Sequence, residues 1–424
     1  MLFKSLHDKG WSVIICIVKV KKMNILEQIT LPEVWQDFLQ YKIEKQHLTK
    51  QEKEQFADYI EGKKYLSILE DIKKDEYCPP VPEKKELNKG GVAKKRVVYS
   101  YPQDFNMLLK MIAFLLYDYD DKFSPNCYAF RRNYGVKDAI LRIRTDSTIS
   151  EQYCLKVDIR NYFNSIDTTL LLQKLKFLKE ENENLYDLFK KMLQADIARI
   201  EGKEVQEYRG AMAGTPISPF FANVYFMNVD AYFEEKGISY FRYSDDILLF
   251  ADTMEELKQF QQELYQQIKE HHLTINESKV HISKPGESWE FLGLAYENGR
   301  MDLSENTKRK IKKKIKRKAQ ALRRWQQKKG LQGEHAAKGF IKAMNHKFFA
   351  EDESKEFTWS RWFFPNLTTD KGLKEIDAYM QQYIRYCVTG RHNKGNYKVT
   401  YEQMKQWGYR NLVHEYYKRL EEIS

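Results

Sequence analysis

Phe241-Arg242-Tyr243-Ser244-Asp245-Asp246-Ile247-Leu248-Leu249-Phe250 constrains the chain more than any other stretch. Apolar and aromatic residues flank two adjacent carboxylates, and no Gly or Pro breaks the run. That composition predicts two short β-strands meeting at a tight turn, with Asp245 and Asp246 at its tip. Neighbouring carboxylates beside so much apolar surface repel each other unless cations share them. Hard oxygen ligands of this kind suit Mg²⁺, which keeps several waters and binds through carboxylates plus substrate phosphates. Taken alone, an exposed Asp-Asp turn in an ordinary hairpin explains the run at least as well.

Two further stretches change the balance. Cys154-Leu155-Lys156-Val157-Asp158-Ile159 reads as a buried strand ending in an acid, followed by a loop from Arg160 to Asp167 that holds Tyr162 and Phe163. Gly210-Ala211-Met212-Ala213-Gly214-Thr215-Pro216-Ile217-Ser218-Pro219 is a Gly/Pro turn leading into an apolar helix, Phe220 to Phe233, that carries Asn223. An acid at a strand end, a Gly-rich turn into a helix and an aromatic-x-Asp-Asp hairpin, in that order, closely resemble the palm of reverse transcriptases. The strong motifs run from about Lys94 to Leu294.

That resemblance implies an α/β (α+β) right-hand polymerase with fingers, a ferredoxin-like antiparallel-sheet palm and a helical thumb. The expected division is an uncertain extension at 1–22, fingers with part of the palm at 23–150, palm at 151–300 and a basic thumb at 301–424. It also implies that Asp158, Asp245 and Asp246 converge on two Mg²⁺ ions, with Mn²⁺ as an alternative, and that the Ile159 carbonyl joins the ligand set. Phe163 takes the place of the aromatic gate that clashes with a ribose 2′-hydroxyl, a core Phe being the other reading. Asp167 ends the same loop and reads as the N-cap of the following helix rather than as a ligand.

The fingers expectation rests on Asn88-Lys89-Gly90-Gly91-Val92-Ala93-Lys94-Lys95-Arg96-Val97-Val98-Tyr99, a Gly-Gly turn between extended segments with three consecutive cations on the second. By resemblance Arg96 and Lys94 face the triphosphate of the incoming nucleotide, with Lys95 or Lys89 as substitutes. An Arg suits that work because its planar fork holds phosphate oxygens bidentately. A solvated, charge-protected hairpin edge is the other reading. The stretch around Phe130-Arg131-Arg132 resembles the template side of the fingers, where Arg131 and Arg132 would touch backbone phosphate, a plain surface pair being the other reading.

Gly214 and Pro216 match the family's nucleotide-site turn, but Ala213 stands where most relatives carry a Gln that positions the template base. That departure puts ordinary template handling in doubt. Lys279 resembles the Lys that approaches the leaving pyrophosphate as a general acid, a plain surface lysine being the alternative. Trp289-Glu290-Phe291-Leu292-Gly293-Leu294 looks like the primer-grip hairpin, with Phe291, Leu292 and Gly293 near the primer strand. Beyond Ser304, Ile311, Ile315, Leu322 and Trp325 form one apolar stripe within a Lys/Arg-rich helix. The stripe is expected to pack inward while Lys312, Lys316 and Arg323 track phosphates.

Composition agrees with a nucleic-acid partner: 424 residues carry a formal charge of +11 while remaining 42% hydrophobic. The five cysteines lie far apart, with neither a zinc spacing nor a disulfide framework, which fits a reducing cytoplasm. Ser12 to Val20 is too short for a membrane span, and Met1 to Lys22 reads as an upstream extension without a function of its own. No ribonuclease H domain or zinc-bound endonuclease module is expected.

The leading expectation is therefore a stand-alone bacterial reverse transcriptase of the retron, abortive-infection or phage-defence kind. Its partners would be an RNA template (a cognate non-coding RNA), dNTPs and a DNA product, with no membrane and with oligomerisation left open. Three alternatives stay in view: untemplated, tyrosine-primed DNA synthesis, RNA-directed RNA synthesis, and a silent RNA-binding scaffold that kept the fold but lost the chemistry.

Overall fold

The structure is a computed structural model and describes residues 23–46, 48–88, 95–349, 358–393 and 397–422. The chain folds into two compact units. One takes in the described residues up to Gly135 together with Leu155–His281, and the other takes in Val136–Cys154 and the described residues from Ile282 onward.

The first unit begins with helices α1 (Pro32–Gln46), α2 (Lys50–Glu61) and α3 (Lys64–Lys73). Thr49 caps α2 in a capping box with Glu52, and Trp35, Phe38, Phe56, Tyr59 and Tyr65 meet as a buried aromatic cluster. Pro79, Pro80 and Pro82 end helical structure before β1 (Glu83–Asn88) and β2 (Lys95–Ser100), which pair antiparallel with Asn88 opposite Lys95. The connecting residues 89–94 lie outside the described residues. Helix α4 (Gln103–Leu115) follows, apolar and buried on most of its surface. β1 and β2 belong to a four-stranded sheet in the order β2-β1-β4-β5, completed by β4 (Ile197–Ile200) and β5 (Lys203–Gln206).

A second four-stranded sheet, in the order β6-β7-β3-β8, holds the acids. Its elements are β3 (Tyr153–Asp158), α5 (Ser218–Glu235), β6 (Tyr240–Tyr243), β7 (Asp246–Ala251), α6 (Met254–Glu270) and β8 (His281–Ser283). The chain order β-α-β-β-α-β with that strand order is the split βαβ, ferredoxin-like arrangement, into which the β4–β5 segment is inserted. Helix α5 is apolar on most sides because it is buried on most sides, from Phe220 to Phe233. α6 starts at a capping box between Thr253 and Glu256 and presents only Leu257, Leu264 and Ile268 to the core.

In the second unit β9 (Trp289–Phe291), β10 (Leu294–Glu297) and β11 (Arg300–Leu303) form an antiparallel meander. Helices α7 (Glu305–Lys328), α8 (Gly333–Phe348) and α9 (Lys371–Thr389) pack on one another beyond it, followed by α10 (Leu412–Glu421). Ile311 and Ile315 of α7 are buried as the stripe requires, but Trp325 is 45% exposed. Ala319 and Gln326 continue the inward face instead, and Trp325 lies one residue off it, a rotation of about 100° on a helix. Phe363, Phe364 and Tyr383 are core, whereas Tyr397 is exposed.

None of the four cysteines among the described residues, Cys78, Cys127, Cys154 and Cys387, is in a disulfide. None of the described helices is long and apolar enough to cross a membrane.

Candidate active site

β3 delivers Asp158 to the edge of its strand, and the Ile159 amide donates to the Asp245 carbonyl at 3.1 Å. That single backbone bond brings residues 158 and 245 into one cluster. Ser244 turns the chain between β6 and β7 with φ +62°, so Asp245 sits in the turn and Asp246 opens β7. Asp158 is 4% exposed, while Asp245 and Asp246 are half-buried. Burial pushes the carboxyls of Asp245 and Asp246 above the ordinary range. The charge of Asp158 adds to the rise at both.

Two cations answer that repulsion. Lys279 Nζ donates to Asp158 Oδ2 at 2.5 Å, and Lys156 Nζ lies 3.8 Å from Asp246 Oδ1. Lys279 arrives because Thr274 to Asn276 runs beside the end of β3: Ile275 bridges Ile159, and the Asn276 amide donates to the Asp158 carbonyl at 2.8 Å. The Asn276 side chain donates to Asp158 Oδ1 at 2.9 Å. The expectation that Lys279 works at the site thus has a geometric partner, Asp158 itself.

Among the described residues no three His, Cys, Asp or Glu side chains stand close enough together to hold a metal ion as they are. The donor chemistry nevertheless fits Mg²⁺: hard carboxylate oxygens, mutually repelling, one already covered by an ammonium that occupies a cation's place. Asp158, Asp245 and Asp246 are the carboxylates that would hold such ions, with Lys279 leaving Asp158.

A fully buried ion pair underlies the turn. Arg242 donates to both oxygens of Asp230, at 2.7 and 2.5 Å, to the Ser244 carbonyl at 3.2 Å and to Cys127 Sγ at 3.0 Å. Tyr240 completes Asp230 at 2.8 Å. Burial alone would lower the Arg242 pKa, but Asp230 outweighs it and holds the guanidinium charged well above its ordinary value. The signal for this pair was a lone Arg inside an aromatic strand and a lone acid, Asp230, inside an apolar helix.

Phe163 is half-buried rather than core and sits edge-on to Phe130, with centroids 5.9 Å apart. Its carbonyl accepts the Ala211 amide at 2.8 Å, and Asn164 Oδ1 accepts the Ala213 amide at 2.9 Å. The Tyr99 amide of β2 donates to the Ala213 carbonyl at 2.7 Å. Gly214, φ +102°, lies so near β2 that a Cβ would meet the Tyr99 carbonyl at 3.0 Å. The Phe163 loop, the Gly-rich turn bearing Gly214 and Pro216, and β2 are therefore stitched together, and Arg96 is exposed on β2. Lys94 and Lys89 lie outside the described residues. Asp167 caps the helix Thr168–Lys174 through the amides of Thr169 and Leu170.

Several expected phosphate ligands do other work. Arg131 is buried, with its guanidinium donating to the carbonyls of Asp120, Ser124 and Cys127, so it is a strut of the loop and not a phosphate ligand. Arg132 is exposed but lies over the Phe114 ring at 4.7 Å. In the second unit Arg323 donates to the carbonyls of Cys387 and Val388, closing the C-terminal end of α9. Lys312 and Lys308 share Glu375, while Lys316 is exposed. Leu292 and Gly293 join β9 to β10 with φ +52° and +86°, a primed two-residue turn behind the buried Phe291. A Cβ on Gly293 would meet Thr307 Oγ1 at 2.9 Å, and the Gly293 carbonyl accepts from Thr307 and Ser304. The small residue there serves α7 and its own turn, a different reason from approach to a primer.

The family model described as reverse transcriptase (RNA-dependent DNA polymerase) matches residues 82–296, half of the chain. The chain belongs to that family. The retron Ec83 reverse transcriptase of Escherichia coli is 26% identical over 170 residues, 38% of this chain and 54% of that protein. The chain thus spans about half the length of the curated relative it matches. Among solved structures, a Candida albicans telomerase in complex with a fragment of telomeric RNA gives a TM-score of 0.43 at 13% identity, over 79% of this reverse transcriptase and 64% of that chain. An apo telomerase from Candida tropicalis gives 0.45 at 11% identity, over 78% and 68%.

Proposed function

We propose that the protein is an RNA-directed DNA polymerase that extends a primer 3′-hydroxyl with deoxynucleotides. The observation that carries this reading is the meeting of Asp158 with the Asp245-Asp246 turn through the 3.1 Å Ile159–Asp245 bond. A fold kept only as scaffold has no need of repelling carboxylates beside a polyanion. Asp158, Asp245, Asp246 and the Ile159 carbonyl would hold Mg²⁺ (or Mn²⁺), which would supply the charge to make a 3′-hydroxyl acidic and to neutralise triphosphate and pyrophosphate.

The chain's own groups do the remainder. Lys279, on leaving Asp158, faces the departing pyrophosphate as a proton donor. Phe163 fills the space a 2′-hydroxyl would need, and its edge contact with Phe130 keeps the ring from swinging aside. Gly214 lets the turn lie flat on β2, which carries Arg96 toward the triphosphate. Lys316 and its exposed neighbours on α7 hold the backbone of the duplex.

The family match and the retron relative support a bacterial reverse transcriptase acting on a partner non-coding RNA, and we place its role in defence against phage within that proposal. The test is incorporation of radiolabelled dNTPs by protein purified with its bound RNA. DNase-sensitive product that is lost when the RNA is digested beforehand and that disappears in D245A/D246A supports it. No product, or equal product from the variant, removes the enzymatic reading.

Ala213 favours a second reading. A methyl group cannot pair with a template base, and its amide is already taken by Asn164. Untemplated DNA synthesis, primed for instance from a tyrosine hydroxyl, would yield low-complexity product unrelated to the bound RNA, which sequencing distinguishes.

A further inference from the structure

Behind Phe130 the first unit contains a cavity of about 370 Å³ that includes none of the catalytic acids. That volume falls in the range of small-ligand pockets. Its walls combine two chemistries. Tyr41, Phe114 and Tyr117 offer ring surface, with the two tyrosine hydroxyls 3.4 Å apart. Lys42 and Lys110 bring ammonium groups from different helices, α1 and α4.

The two lysines flank the buried Phe38–Phe56 pair, at 5.4 Å and 5.3 Å from the respective rings. Burial, and then the charge of Lys110, lower the Lys42 pKa to about 8. The two ammonium groups repel, the charge of Glu52 offsets part of that repulsion, and a phosphate between them would offset more. Arg132 adds a third cation over the same rings, 4.7 Å from Phe114 and 5.7 Å from Tyr117.

Asp120 is the one acid among the described residues of the lining, and its Oδ2 accepts the Arg132 amide at 2.7 Å. Burial raises its carboxyl above the ordinary value, and the Arg132 amide and the Arg131 and Arg132 charges work against that rise. It also gives the pocket an acceptor for a base amine or a ribose hydroxyl. The far wall is Gly214 and Pro216, the turn stitched to the Phe163 loop.

We propose that this cavity binds one unpaired nucleotide, its base against Tyr41, Phe114 and Tyr117 and its phosphate between Lys42 and Lys110. Aromatic surface with flanking cations is the combination that holds single-stranded nucleic acid without reading its sequence. The same chemistry fits a nucleotide within a strand or a free nucleoside monophosphate, and the two sources are separable by experiment. The inference goes beyond polymerisation and does not depend on it.

The test is photo-crosslinking of the full chain in EDTA, without dNTPs, using single-stranded RNA that carries 4-thiouridine or, separately, 4-thiouridine 5′-monophosphate. Adducts are mapped by mass spectrometry. The expected result is an RNA adduct in the peptides holding Tyr41, Phe114 or Tyr117, reduced at least tenfold in K42Q/K110Q. A113W, which fills the cavity and keeps both charges, is expected to abolish the same adduct, and thermal melting confirms that each variant is folded. An adduct from the monophosphate alone supports the pocket and assigns it to a free nucleotide. Adducts that map only elsewhere, or that persist undiminished in a folded K42Q/K110Q or A113W, overturn it. Because metal is absent, loss of polymerase activity cannot imitate either outcome.

Discussion

The hairpin β6–β7 touches two clusters of opposite charges that are built in contrary ways. Below it, Arg242 and Asp230 are wholly buried, and donors and acceptors face each other in a fixed bidentate pair. Above it, Asp158, Asp245 and Asp246 repel one another and are covered by two long, flexible lysines from β3 and from the segment after α6. Desolvation makes a buried pair costly to break once formed, so the lower cluster is a rigid seat. Lys279 is half exposed, so its ammonium can leave Asp158 for water and is readily exchanged. The turn is thus held from beneath by contacts that cannot rearrange and faces solvent with contacts that can.

The largest test of that contrast is R242M. It leaves Asp230 buried without its cation and is expected to cost about 3–5 kcal/mol in urea unfolding, with activity lost as the Ser244 turn loosens. R242M/D230L is expected to recover more than half of that stability, because the stranded charge is gone; a double variant as unstable as the single would break the distinction between the clusters. D245N should behave in the reverse way. Primer extension is expected to fall by more than about 100-fold, the upper end for perturbing groups around a metal, while the melting temperature is unchanged or higher because repulsion is relieved.

F163V sharpens the functional side. Loss of ring volume is expected to reduce discrimination against ribonucleotides by about 10–200-fold, as for other changes of pocket size, measured as the ratio of kcat/KM for dNTP and rNTP. K279Q should lower kcat by roughly 100-fold if it donates a proton, with the apparent Mg²⁺ requirement falling because Asp158 no longer has a competing cation. An unchanged kcat would make it only a cover for the carboxylate. The smallest effect belongs to K316Q, which is expected to reduce the salt slope of nucleic-acid binding by about one, whereas R323A should lower stability and leave that slope alone.

Sequence revealed the acids because each one ends a strand or sits in a turn, where the local pattern of neighbours fixes its position. The same holds for Asp167, whose capping role follows from the helix after it. The cations were harder to place. Arg131 and Arg323 are surrounded by the same kinds of neighbours as surface arginines, yet their guanidinium groups reach carbonyls seven and 65 residues away, a distance no local pattern records. Trp325 was misplaced for a smaller reason, since Gln326 takes the inward position despite being polar and donates its amide to the Leu331 carbonyl. Asn164 and Asn276, which tie the site together, gave no signal because an amide's value depends on what lies opposite it.

The stitching of the Phe163 loop to the Ala213-Gly214 turn, and of that turn to β2, has a consequence for how this chain can evolve. On the proposed function, sugar choice and the seating of the copied strand would share one piece of backbone, linked by the Asn164–Ala213 and Tyr99–Ala213 bonds. Substitutions selected for accepting unusual nucleotides should therefore bring altered copying errors with them, since neither property can be retuned while the other stays still.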